Sequence, residues 1–92
     1  MPARRLSISG RVQNVGYRDW MVAQARTLGL SGWVRNNRME GTVEALVDGE
    51  AGAIAELLRA CRRGPALAAV TGIVEELADP PSEPGFRRMP SV

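Results

Sequence analysis

The chain has 92 residues, of which 45% are hydrophobic and 24% charged, and this composition predicts one globular domain spanning residues 1–92. The formal net charge at pH 7 is only +2, and the 12 basic residues, all arginine, are dispersed among ten acidic ones, so the basic stripe typical of nucleic-acid-binding domains is missing. With no histidine and a single cysteine, Cys61, the sequence excludes Ser-His and Cys-His catalysis, histidine-ligated metals and thiolate zinc sites.

The first half of the chain predicts a strand, a helix and a hairpin. Within residues 4–10, Leu6 and Ile8 alternate with polar residues, which is the pattern of a half-buried strand. Residues 18–28 carry apolar side chains at helical spacing, and Gly29 follows where a C-terminal cap belongs. Two further strands, residues 32–36 and 42–48, flank a short polar turn and therefore predict a hairpin.

The second half predicts a helix and a strand, with a candidate edge strand at the end. Residues 50–63 have one apolar stripe and stop at Gly64-Pro65. The β-branched residues within 66–77 favour a strand, and after a proline-rich loop residues 86–89 are a candidate fifth, edge strand. The βαββαβ order predicts an α+β, ferredoxin-like sandwich: an antiparallel sheet with two helices on one face.

The loop between the first strand and the first helix, Gly10–Arg18, is the candidate binding site. Gly10, Asn14 and Gly16 suit backbone conformations that other residues resist, so several N–H groups can converge on one point. Arg18 stands at a helix N-terminus, where acidic side chains are favoured, and this placement suggests an external anion of phosphate size. A purely structural turn is the alternative, because the spacing matches neither the dinucleotide pattern nor the nucleotide loop.

Two motifs carry a resemblance to a known family. Gly10–Arg18, together with Gly32–Asn36, the later Gly41–Glu44 and Gly49, resembles the acylphosphatase family over nearly the whole chain. The resemblance implies hydrolysis of the carboxyl–phosphate bond of small acyl phosphates to carboxylate and inorganic phosphate. It also implies a ferredoxin-like fold and a reaction that needs no covalent intermediate, no metal and no cofactor.

The resemblance also assigns roles to individual residues. It implies that Asn36 positions the attacking water and that the Arg18 side chain holds the phosphoryl group. It further implies phosphate binding by the backbone amides of Asn14, Val15, Gly16, Tyr17 and Arg18. An amide side chain orients a water but does not take its proton, so a phosphate oxygen of the substrate is the expected acceptor. We interpret the carboxylates Glu44 and Asp48 as solvated charges, since they would repel phosphate.

The sequence departs from the family pattern at two places. Asn14 stands where the family has glycine, and asparagine is the ordinary residue best able to keep a left-handed conformation. Four residues rather than three separate Asn36 from Gly41, so Asn37 is the alternative residue for positioning the water. The uninterrupted match up to residue 36 favours Asn36.

Two other functions compete with hydrolysis. The same fold can serve as a non-catalytic module that binds phosphate or carbamoyl phosphate. RNA binding through the open sheet face is disfavoured, because the aromatic-rich strand pattern of RNA-binding sheets is missing. With no secretory signal at its start, we expect a cytoplasmic, monomeric protein whose partner is a small-molecule acyl phosphate, and neither nucleic acid nor membrane.

Overall fold

Residues 3–92 are described by a computed structural model, and their secondary structure follows the predicted order. The elements are β1 (Ala3–Arg11), α1 (Tyr17–Thr27), β2 (Ser31–Asn37), β3 (Thr42–Asp48), α2 (Ala51–Arg63), β4 (Ala69–Ala78) and β5 (Phe86–Arg88). The five strands form one sheet in the order β4-β1-β3-β2-β5. The predicted α+β sandwich is thereby confirmed, including its fifth strand at the edge.

The core lies between the sheet and the two helices. Alternate strand residues such as Ile8, Val34 and Val43 are fully buried, and they join Met21 of α1 and Leu57 of α2 in one apolar cluster. Helix α1 packs against β2 and β5, whereas α2 packs against β4. Because buried residues of both helices join these strand residues in a single cluster, both helices lie over the same face of the sheet.

The sheet is mixed rather than wholly antiparallel, which corrects the sequence prediction. Strand β5 pairs in parallel with β2, with Gly32 opposite Phe86 and Val34 opposite Arg88, while the other four strands pair antiparallel. The chain then continues beside β2, where the Val92 amide donates to the Asn36 carbonyl at 2.9 Å. A long connection after β4 returns the chain to the far edge of the sheet, and hydropathy alone does not define the direction of such a strand.

Two local features place the loop that follows β1. The pairing of β1 with β4 shifts between Ser9 and Gly10, and a Cβ at Gly10, where φ is 115°, would collide with the Ala69 backbone. Glycine is therefore required where β1 bends toward α1.

Strand β4 begins at Ala69, later than predicted, because residues 65–68 form a turn closed by a hydrogen bond from Ala68 N to Pro65 O. Across residues 3–92, neither helix is long and apolar enough to cross a membrane.

Candidate active site

A cavity of about 150 Å³ lies where the β1–α1 loop, the start of α1 and the ends of β2 and β5 meet. Its walls are formed by Val12, Asn14, Gly16, Tyr17, Arg18, Asp19, Asn36 and Arg88. The fold thus brings Asn36 to the predicted loop residues, with Val15 inside the loop but outside the cavity wall. A larger depression of about 570 Å³ beside Arg26 and Phe86 contains none of the predicted site residues.

The loop has the curled backbone that its residue types predict. Gly16 has φ 78°, and Asn14 has φ 60°, the one positive φ among the non-glycine residues of 3–92. Gln13 ties the loop to the β2–β3 hairpin, since its Nε2 donates to the carbonyls of Asn37 at 2.8 Å and Thr42 at 3.0 Å. Asn14 therefore fills the position of the family's glycine in a left-handed conformation.

The start of α1 presents backbone donors to the cavity. Gly16 is the N-cap residue, and in the described part of the chain no side chain caps this end of the helix. The first-turn N–H groups and the helix dipole therefore favour an anion. The Tyr17 side chain points inward, where its hydroxyl donates to the Cys61 carbonyl at 2.6 Å and where burial raises its pKa, so Tyr17 contributes to the cavity through its backbone.

Arg18 supplies positive charge to the same space. Its Nη1 lies 3.4 Å from the Ser91 hydroxyl, a long contact that leaves most of the guanidinium donors for another partner. Burial lowers the pKa of Arg18, and the charge of Arg88 lowers it further, while Asp19 opposes both. Arginine stays protonated through such shifts, so Arg18 keeps its positive charge in the cavity.

The two adjacent asparagines of β2 lie on opposite faces of the sheet. Asn36 is 8% exposed, lies opposite Val43 and lines the cavity. Asn37 faces the other way, and its Nδ2 lies 3.3 Å from carboxylate oxygens of both Glu40 and Glu44. Strand β2 pairs with β3 as far as Asn37, which lies opposite Thr42, so the turn of the hairpin comprises residues 38–41.

Arg88 and Asp19 are cavity residues that the sequence did not reveal. Arg88 Nη1 donates to Asp19 Oδ1 at 2.8 Å, and both side chains lie in the wall. The sequence does place two adjacent arginines, Arg87 and Arg88, in a candidate edge strand. Because side chains alternate along a strand, one of the two is expected on each face of the sheet. Without the parallel pairing of β5, that signal does not say which face meets the cavity.

The open face of the sheet carries a separate charged cluster, which we call the open-face cluster: Arg5, Trp33, Arg35 and Glu44. Glu44 Oε1 lies 2.9 Å from Arg35 Nε and 3.6 Å from Arg5 Nη2. The guanidinium carbons of Arg35 and Arg5 lie 4.8 and 5.5 Å from the centre of the Trp33 ring. Glu44 is therefore an ion-paired carboxylate rather than the solvated charge expected from the sequence.

Comparison with known proteins gives consistent results. The family model described as Acylphosphatase matches residues 4–88. An acylphosphatase of Acidiphilium cryptum is 67% identical over 86 residues, covering 94% of this chain and 93% of the relative. One of Azorhizobium caulinodans is 57% identical over 83 residues, covering 89% and 88%. The crystal structure of acylphosphatase from Bacillus subtilis aligns with a TM-score of 0.89 and 30% identity, covering 97% of this chain and 99% of that one.

Proposed function

The chain belongs to the acylphosphatase family, and from this premise we propose that the cavity between Arg18 and Asn36 is where it hydrolyses acyl phosphates. The substrate is a small acyl phosphate, and the products are a carboxylate and inorganic phosphate. The convergence of Arg18, the uncapped start of α1 and Asn36 on one cavity is the observation that carries this proposal.

In this mechanism the phosphoryl group is held by charge and by backbone donors. The Arg18 guanidinium donates a two-pronged set of hydrogen bonds to phosphoryl oxygens, and the amides of Asn14, Val15, Gly16, Tyr17 and Arg18 surround the remaining oxygens. These donors are fixed by the fold before substrate arrives, so little reorganisation is needed as charge shifts in the transition state. The left-handed conformations of Asn14 and Gly16 support this arrangement.

Asn36 orients the water that attacks phosphorus. Its side-chain amide holds the water by a hydrogen bond, and the water's proton passes to a phosphoryl oxygen of the substrate because asparagine accepts no proton at neutral pH. The phosphorus–oxygen bond to the acyl group breaks, and the carboxylate leaves with the bonding electron pair. Since an acyl phosphate is an activated anhydride, positioning and electrostatic stabilisation suffice without a side-chain nucleophile, a metal or a cofactor.

The direct test is hydrolysis of benzoyl phosphate by the wild type and by folded Arg18→Ala and Asn36→Ala variants. We expect hydrolysis by the wild type and a large loss in both variants, with Asn37→Ala as the matched control on the opposite face. Retention of the wild-type rate in both folded variants would overturn the assignment of this cavity.

The proposed mechanism uses residues of one chain acting on a small molecule, and none of its steps calls for a partner subunit, a membrane or a nucleic acid. We therefore keep the expectation of a monomeric enzyme as part of the proposal. Sedimentation analysis at assay concentration should therefore give one species of about 9.9 kDa.

A further inference from the structure

We propose that Arg88 is a second guanidinium that contacts the anionic substrate, beside Arg18, in the cavity described above. This inference rests on the proposed function, since it takes that cavity to be where the acyl phosphate binds. It adds to the site a substrate-contacting residue that belongs to neither motif of the sequence.

The parallel pairing of β5 places Arg88 at the cavity. Arg88 lies opposite Val34, two residues before Asn36 in the neighbouring strand. It shares a face of β5 with the buried Phe86, so its side chain emerges on the helix side of the sheet, where α1 packs against β5. The adjacent Arg87 points to the other face and pairs with Glu83 at 3.0 Å.

The charges around Arg88 favour an anion between it and Arg18. Both guanidinium groups line the same cavity of about 150 Å³, and the charge of Arg88 contributes to lowering the pKa of Arg18. Two like charges at this range repel each other, and a phosphoryl dianion between them replaces that repulsion with two attractions. A contact from Arg88 would thus strengthen substrate binding in two ways, by attracting the phosphoryl group and by removing the repulsion between the two guanidinium groups.

The ion pair with Asp19 does not prevent such a contact. The side chains of Arg88 and Asp19 are 46% and 73% exposed, so the pair is largely in water and contributes little stability. One N–H of the guanidinium bonds to Asp19, and the guanidinium has five N–H groups in all. Donors therefore remain for a phosphoryl oxygen or for the acyl carbonyl oxygen.

Arg88 has one competing role, which is to neutralise Asp19. An unpaired carboxylate in the wall would repel phosphate, so loss of Arg88 would weaken binding even if Arg88 never touched the substrate. The two roles differ in a variant that has no charge at residue 19: neutralisation is then unnecessary, whereas a direct contact is still lost.

The experiment compares kcat/KM for benzoyl phosphate, and the dissociation constant of inorganic phosphate from titration calorimetry, in five proteins. These are the wild type, Arg88→Met, Asp19→Asn, the double variant, and Arg87→Met. The last variant removes the same charge from the same strand at a similarly exposed position, 43% against 46%, but on the opposite face. Circular dichroism melts establish that each variant is folded.

We expect Arg88→Met to lower kcat/KM and weaken phosphate binding by about tenfold, as loss of a charge-assisted hydrogen bond predicts, while Arg87→Met stays within about twofold of the wild type. The double variant should bind phosphate at least about fivefold more weakly than Asp19→Asn. Equal binding by those two proteins, or wild-type behaviour of Arg88→Met, would overturn the role of Arg88. A wild type that binds phosphate through Arg88 but leaves benzoyl phosphate intact would overturn the proposed function instead.

Discussion

Two clusters of arginine lie on opposite faces of the sheet, and only one of them is arranged for an external anion. In the open-face cluster, Arg5 and Arg35 share Glu44 and both contact the Trp33 ring. In the cavity, the Arg18 guanidinium makes a long contact of 3.4 Å to the Ser91 hydroxyl, and Arg88 has an exposed pairing with Asp19. Arginine thus has a structural role in the open-face cluster and, in the function proposed above, a binding role in the cavity.

The difference lies in what satisfies the guanidinium groups. Burial would raise the pKa of Glu44, but hydrogen bonds from Arg35 and Asn37 and the charges of Arg35 and Arg5 outweigh it, so its pKa is lowered. This carboxylate thereby occupies the donors of its neighbours. In the cavity the start of α1, which no side chain of residues 3–92 caps, adds further donors, and the carboxylate in the wall, Asp19, is 73% exposed. Arginine count alone therefore does not locate a phosphate site.

The largest effect expected is that of Arg18→Lys. Lysine keeps the charge but cannot donate two parallel hydrogen bonds to a phosphoryl group, so we expect kcat/KM for benzoyl phosphate to fall by about a thousandfold. Arg35→Lys, the matched change in the open-face cluster, should leave kcat/KM unchanged. Equal losses of kcat/KM in Arg18→Lys and Arg35→Lys would contradict the assignment of substrate binding to the cavity face alone.

The second effect separates the two asparagines of β2. Asn36→Ala should lower kcat by about a hundredfold, because one fixed donor for the reacting groups is lost, whereas Asn37→Ala should stay within about twofold. Steady-state kinetics of both purified variants measures this directly. The reverse ranking would assign the water to Asn37 and contradict the register described above.

A third, smaller effect concerns the curl of the loop at Asn14. Asn14→Val places a β-branched residue at φ 60°, which should cost about 1–2 kcal/mol of unfolding free energy and weaken phosphate binding. Asn14→Gly, which restores the family residue, should retain both stability and activity. Urea denaturation and phosphate inhibition measure the two quantities, and a stable, fully active Asn14→Val would show that the left-handed conformation is unnecessary.

The smallest effect on activity is expected from the open-face cluster. Glu44→Gln should leave kcat/KM unchanged but lower the free energy of unfolding by about 1 kcal/mol at neutral pH, since charged hydrogen bonds are lost. Because the folded-state pKa of Glu44 is lowered, its stabilisation is present above the usual carboxyl pKa and is lost as pH falls through the folded value. The difference in unfolding free energy between Glu44→Gln and the wild type should therefore become smaller as the pH is lowered. A difference that is independent of pH would contradict the ion pairing of Glu44.

Much of the fold follows from local sequence patterns. The alternation of Leu6 and Ile8, the spacing of Met21 and Ala25, and the stop at Gly64 each act within a few residues, and the elements they predict are present. The curl at Asn14 is equally local, since it depends on which residues tolerate positive φ. The pairing of the loop motif with Asn36 came from the resemblance, and alternation along β2 agrees with it.

What the sequence did not reveal depends on contacts between distant residues. The parallel direction of β5 depends on the loop that precedes it and on its pairing with β2. These two parts of the chain are far apart in sequence: the Gly85 amide donates to the Ser31 hydroxyl, 54 residues earlier. That direction brings Arg88 to Asp19, and no short-range pattern encodes it. The expectation that Glu44 is a solvated charge was wrong for the same reason, because Arg5 and Arg35 reach it from the two strands on either side of β3.

In the proposed mechanism, a water held by Asn36 attacks the phosphoryl group held by Arg18. A single turnover of benzoyl phosphate in ¹⁸O-labelled water, with enzyme in excess and mass analysis of both products, tests it most directly. Attack at phosphorus predicts one labelled oxygen in the phosphate and none in the benzoate. Label in the benzoate, with unlabelled phosphate, would show attack at the acyl carbon and would contradict the proposed mechanism.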